Sequence, residues 1–172
     1  MRTQNMIRAA VFAALMTICA WISIPVGSIV FTLQTFGIFL ALLALGGKWG
    51  LVSVLLYLLL GLAGLPVFSG FRGGVGTLFG PTGGYLPGFL VCGILYRFVT
   101  GAKGSRLFGL CVGLLGCYGV CCGWTCLFYG EMGLRTVFTL YVLPYLAPDG
   151  IKMAAAFLLA RKLNRILKNT SA

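Results

Sequence analysis

Pro148-Asp149-Gly150-Ile151-Lys152 opens a long apolar segment, residues 148–167, in a chain whose only acidic residues are Asp149 and Glu131. An α-helix needs about 20 apolar residues to cross the hydrocarbon of a bilayer, because backbone groups in lipid must satisfy one another within the segment. An ionised side chain at membrane depth costs about 2.5–3.5 kcal/mol. A helical i,i+3 ion pair returns only about 0.2–0.5 kcal/mol, so mutual pairing does not offset the burial of Asp149 and Lys152. Two readings follow. In one, Asp149 caps the helix N-terminus near an interface and Lys152 extends its ammonium to water. In the other, the two face a polar cavity and hold a solute.

Working outward, the rest of the chain has the same character. Of its 172 residues 60% are hydrophobic and 9% charged, and the mean hydropathy is +1.04, outside the range of ordinary soluble domains. No polar stretch or linker breaks it, so residues 1–172 are expected to form one membrane-embedded domain. The expected spans are residues 8–24, 31–45, 50–62, 85–99, 107–127 and 148–167. The second and third are short for a full crossing, and Gly46-Gly47-Lys48-Trp49-Gly50 between them joins either two spans or the arms of a re-entrant hairpin. Arg2 and Arg8 before an apolar run also fit a secretory signal, but no convincing small-x-small cleavage site follows Trp21, so this segment is read as a retained span.

A formal charge of +11 would suit nucleic acid if the basic residues formed a patch, but they punctuate the spans instead. Arg2 and Arg8, then Lys48, then Arg97, Lys103 and Arg106, then Arg161, Lys162, Arg165 and Lys168 fall at the N-terminus, in alternate loops and at the C-terminus. Only Arg72 and Arg135 fall in the intervening loops. The positive-inside rule then places both termini in the cytoplasm and requires an even number of spans. The expected fold is an all-α integral membrane protein, a six-transmembrane-helix bundle with both termini cytoplasmic. It is multi-pass in the cell (inner or plasma) membrane, with lipid and not nucleic acid as its surroundings.

The chain has no histidine and two carboxylates, which excludes a His-based triad or a metalloprotease motif and leaves little for acid–base catalysis. No enzyme, cofactor or metal is expected. The glycine-rich stretch from Gly76 to Gly84 lacks the lysine with which a Walker A loop reaches phosphate, so uphill movement of a solute would draw energy from a partner or an ion gradient. All seven cysteines, Cys19, Cys92, Cys111, Cys117, Cys121, Cys122 and Cys126, fall in expected spans, where thiols pack as small hydrophobes. The alternative functions are a membrane redox enzyme built on the cysteine-rich fifth helix and a membrane assembly scaffold. Residues 63–84 form an outer loop too apolar for a free linker; Phe68, Phe71 and Phe79 should fold it back onto the bundle as a lid or wall. Ala9 with Ala13, and Ala10 with Ala14, form small-xxx-small pairs on the first span, suited to internal packing or to docking a partner helix. Glu131 and Arg135 are expected to pair in the last outer loop.

Phe31-Thr32-Leu33-Gln34-Thr35-Phe36-Gly37, Gly61-Leu62-Ala63-Gly64-Leu65-Pro66-Val67-Phe68, Gly80-Pro81-Thr82-Gly83-Gly84-Tyr85-Leu86 and Pro148-Asp149-Gly150-Ile151-Lys152, in that order, resemble the BioY family. Those proteins are biotin-binding S components of energy-coupling factor (ECF) vitamin transporters. The resemblance implies a six-helix protein that captures biotin from the outer side and delivers it across the membrane, usually with a transmembrane coupling subunit and two ATP-binding subunits. It maps the coupling contact onto Ala9 and Ala13. It also implies that Asp149 accepts from the cyclic urea of biotin, that Lys152 donates to an oxygen and that Arg72 neutralises the carboxylate. Phe71 and Tyr85 would serve as walls, with Thr82, Gly83 and Gly84 in close contact with the ligand.

Overall fold

The computed structural model describes residues 2–26, 29–80, 83–102, 104–128 and 134–169. Thr82, Lys103 and Glu131, and with Glu131 the expected pair to Arg135, lie outside the described residues. The first helix, α1 (Arg2–Trp21), packs along α2 (Gln34–Leu62), which in turn packs against α3 (Tyr85–Gly101) and α6 (Leu143–Asn169). The helices α3 and α4 (Arg106–Phe128) lie along each other, and the short α5 (Leu134–Tyr141) bridges to α6.

Within α2 the turn read at Gly46 is present. Gly46 adopts φ 77° and ψ 173° inside an otherwise helical run, a conformation that glycine reaches without steric cost. The two arms fold back on each other: a Cβ on Gly50 would stand 2.7 Å from Leu42 Cα, and Gln34 at the start of α2 bonds Tyr57 near its end. Among the described residues four segments are long and apolar enough to cross a membrane, Thr3–Trp21, Gln34–Leu62, Arg106–Phe128 and Arg135–Arg165, with Tyr85–Gly101 a shorter apolar helix.

Three features depart from expectation. Residues assigned to the ends of the first two spans instead form a two-stranded antiparallel hairpin, β1 (Ser23–Val26) with β2 (Ile29–Thr32), in which Ser23 pairs with Thr32. Pro25 cannot continue a helix, and the β-branched Ile24, Val26, Ile29 and Val30 favour extended backbone. Further along, α6 starts at Leu143 rather than at Pro148. Pro144 occupies its first turn, where a missing N–H is harmless, so Asp149 lies inside the helix and is not its cap. Finally, of the three loop phenylalanines only Phe68 is buried, at 4% exposure, against 64% for Phe71 and 56% for Phe79.

Six of the basic residues gather at one end. Gly47, at the α2 turn, abuts Arg97, and Asn164 donates to the Leu43 carbonyl at 3.3 Å, which brings the last turns of α6 to the same level. Lys48, Arg97, Arg106, Arg161, Lys162 and Arg165 are all exposed. The opposite end is closed by the β-hairpin and the 63–84 loop. That loop is tied down where Trp21 Nε1 donates to the Pro66 carbonyl at 2.8 Å and Trp124 Nε1 to the Leu78 carbonyl at 3.0 Å. The long apolar loop thus folds onto the bundle, as its composition requires.

Candidate solute-binding site

The end opposite the basic cluster holds a cavity of about 790 Å³, within the range of about 300–1,000 Å³ usual for small-molecule sites. The hairpin contributes Ser23, Val30 and Thr32, α2 contributes Gln34 and Thr35, and the loop contributes Phe68, Ser69, Gly70, Arg72, Gly73, Gly76, Thr77 and Gly80. The rest of the lining is Tyr85, Leu86 and Phe89 of α3 and Tyr145, Asp149 and Lys152 of α6.

Asp149 is 1% exposed and holds the centre of a network. Its Oδ1 accepts from Lys152 Nζ and from Thr35 Oγ1, both at 2.8 Å, and its Oδ2 accepts from Tyr118 OH at 2.8 Å. Lys152 Nζ also donates to Thr35 Oγ1 at 3.2 Å. A buried carboxylate is tolerable only when paired and hydrogen-bonded. Three donors from three helices meet that condition here, which the i,i+3 partner alone would not. An ammonium has three N–H donors; two are engaged and the Lys152 side chain is 11% exposed, so a third donor remains for an oxygen in the cavity.

The aromatic wall comes from α3 and α6. The rings of Tyr85 and Tyr145 meet edge-on with centroids 5.7 Å apart, and Phe31 packs on Tyr145 at 5.4 Å. Both hydroxyls are anchored, Tyr85 OH to the Tyr141 carbonyl and Tyr145 OH to the Val30 carbonyl.

Of the residues singled out from sequence, Asp149, Lys152, Arg72 and Tyr85 come together around this cavity. Arg72 is exposed and has no ion-pair partner among the described residues. Phe71 has φ 56° and stacks on Trp21 with centroids 4.9 Å apart, outside the lining. Gly83 and Gly84 are buried behind it; a Cβ on Gly84 would stand 2.8 Å from Trp124 Cβ, so this glycine lets α3 approach α4. Ala9 and Ala13 are each 1% exposed and pack inside the bundle, with the Ala9 carbonyl accepting from Ser53 Oγ of α2. Their side chains face the bundle interior in this chain, and Ala10 and Ala14 are the exposed pair.

Sequence reading missed Thr35, Gln34 and Tyr118. The first two sit in the quoted 31–37 motif, but Tyr118 lies on the cysteine-rich helix, where no motif marks it. Two cysteines pack the α3–α4 contact: Cys117 of α4 fills the space left by Gly88, and Cys92 of α3 that left by Gly113. Among the described residues no group of His, Cys, Asp or Glu side chains could hold a metal ion.

Apolar helices around a cavity with a buried, hydrogen-bonded ion pair in its wall are the architecture of a membrane-embedded solute-binding protein. The chain belongs to the BioY family, which it matches over residues 1–169. It is 38% identical over 165 residues to the biotin transporter BioY of Thermotoga maritima, covering 95% of this chain and 97% of that protein. It is also 38% identical over 165 residues to the probable biotin transporter BioY of Pyrococcus horikoshii, covering 95% and 98%. A crystal structure of the S-component for biotin from an ECF-type ABC transporter aligns with a TM-score of 0.81 at 28% identity, over 97% of this chain and 92% of that one. These relatives are transport proteins, not enzymes.

Proposed function

We propose that this chain is a biotin uptake protein that captures biotin at the cavity and passes it across the membrane. The observation that carries this reading is the Asp149–Lys152 pair, buried and bonded from three helices at the wall of a cavity of about 790 Å³. Family membership and the named biotin transporters among its relatives support it. Lys152 donates its remaining N–H to a ligand oxygen, Asp149 accepts a urea N–H, and Arg72 on the loop neutralises the valerate carboxylate. Tyr85 and Tyr145 flank the apolar part of the ligand, while Gly83 and Gly84 hold the start of α3 in place.

On this reading residues 1–172 form one S-component domain of the plasma membrane, with six crossings if each arm of α2 counts as one. Basic residues mark the cytoplasmic end, so the cavity opens outward and both termini face the cytoplasm. Energy comes from a transmembrane coupling subunit with two ATP-binding subunits, consistent with the absence of a Walker lysine from the Gly76–Gly84 stretch. The exposed Ala10 and Ala14, rather than Ala9 and Ala13, supply the small-residue docking surface on α1.

Equilibrium binding of radiolabelled biotin to the purified protein in detergent, competed by unlabelled biotin and by thiamine, tests the proposal. Saturable binding displaced by biotin alone is expected. Absence of saturable binding by monodisperse, folded protein would overturn it.

A further inference from the structure

We infer that Gln34 is a specificity-determining residue of this cavity, presenting its amide oxygen to an N–H donor of the ligand. This rests on the biotin reading, under which the donor is one of the two urea N–H groups. The orientation follows from a relay of hydrogen bonds. Gln34 is 7% exposed and lines the cavity. Its Nε2 lies 2.8 Å from Tyr57 OH, and that hydroxyl lies 3.2 Å from the Val67 carbonyl. A carbonyl can only accept, so the single Tyr57 proton goes to Val67 and the Tyr57 oxygen must accept from Gln34. Only the NH₂ branch of the amide can donate, so this branch faces Tyr57 and Oε1 points along the other branch.

That oxygen has no protein donor among the described residues, yet no side-chain polar atom among them is both sealed and unpartnered. Oε1 is therefore reached from open space, and the space bordering Gln34 is the cavity. The stoichiometry also fits. An ionised carboxylate offers about four lone-pair sites, and three of those on Asp149 are taken by Lys152, Thr35 and Tyr118. One site is left for one urea N–H, and the other N–H needs a separate acceptor. Gln34, adjacent in the chain to Thr35, provides it.

Tyr57 is a positioning residue. It is 0% exposed, and its ring meets Phe68 of the outer loop edge-on at 5.6 Å and 83°. The seated loop supplies both this ring contact and the Val67 carbonyl, so loop position and amide orientation are coupled.

The test titrates biotin and biotin mono-methylated at either urea nitrogen into the wild type, Gln34→Met and Tyr57→Phe. Gln34→Met keeps the side-chain length but removes the acceptor. It is expected to weaken biotin binding about tenfold and to abolish the wild-type preference for N–H over N–CH₃ at one of the two nitrogens. Tyr57→Phe, which touches no ligand, is expected to reduce the same preference severalfold, and it reports on the inference if Gln34→Met does not fold. Wild-type binding of biotin together with an unchanged N–H preference in the folded variants overturns the Gln34 assignment and leaves the function standing. Failure of the wild type to bind biotin overturns the function, and this assignment with it.

Discussion

Replacing Asp149 by asparagine keeps the shape of the side chain and removes its charge, which isolates what the buried pair contributes. The amide has one accepting branch. Lys152 and Thr35 converge on Oδ1 at 2.8 Å, and an ammonium cannot face an NH₂ group, so the amide oxygen must stay on that side. The NH₂ then takes the place of Oδ2, where the Tyr118 hydroxyl can reverse and accept. The number of hydrogen bonds survives and the neutralising charge does not. Breaking a buried pair by neutralising one partner costs about 3–5 kcal/mol, and the lower end applies because Lys152 borders the cavity. At about 2–4 °C per kcal/mol for a chain of this size, the melting temperature should fall by about 6–12 °C. Adding Lys152→Met removes the unpaired charge and should restore most of that loss, since apolar replacement of a buried pair is often neutral. Neither variant should bind biotin with wild-type affinity. Intrinsic-fluorescence melting in detergent with parallel biotin titrations measures both effects. An Asp149→Asn protein that melts with the wild type, or a double variant no more stable than the single one, would refute the electrostatic reasoning.

Three further outcomes are expected. Gly46→Ala meets no neighbouring atom but keeps φ 77° and ψ 173°, a region essentially confined to glycine, so it should cost about 1–3 kcal/mol through backbone strain alone; an unchanged melting curve would show that the turn is not held there. Ala13→Leu should destabilise by about 1–3 kcal/mol through overpacking against α2, whereas Ala14→Leu should leave melting within about 0.5 kcal/mol and instead reduce co-purification with a coupling subunit. The reverse pattern would count against the assignment of α1 faces. Arg72→Gln should weaken binding of biotin but not of biotin methyl ester in competition titrations; equal losses for both ligands would exclude a carboxylate contact.

Hydropathy alone gives the depth of a segment, and at that level the sequence was readable. It located the apolar helices, the turn at Gly46, the loop that folds back and the basic end, because each follows from the cost of placing charge or unpaired backbone in lipid. Local irregularity was less visible. The 23–32 hairpin is as apolar as the helices around it, so a hydropathy window merges the two; Pro25 and the β-branched residues were the available signal. The start of α6 was misplaced because two prolines, Pro144 and Pro148, compete as start signals. Composition favoured the one beside the charges, although Pro148 is accommodated inside the helix.

Direction around a helix axis was the second limit. Ala9 and Ala13 share one face of α1, and Ala10 and Ala14 the neighbouring one; spacing identifies both pairs but not which of them meets α2. The site shows the same limit at longer range. A carboxylate in an apolar segment must find donors or lose its charge, so Asp149 signalled from sequence that hydroxyl or basic partners exist. Lys152, on the same helix, could be named at once. Thr35 and Tyr118 reach Asp149 across 114 and 31 positions of chain, and the chain contains other threonines and tyrosines equally able to serve. Only the packing of α2, α4 and α6 selects these two. The same packing explains why binding should be sensitive to substitutions far from the ligand, since moving any of the three helices removes a donor from Asp149 and redirects the ammonium of Lys152.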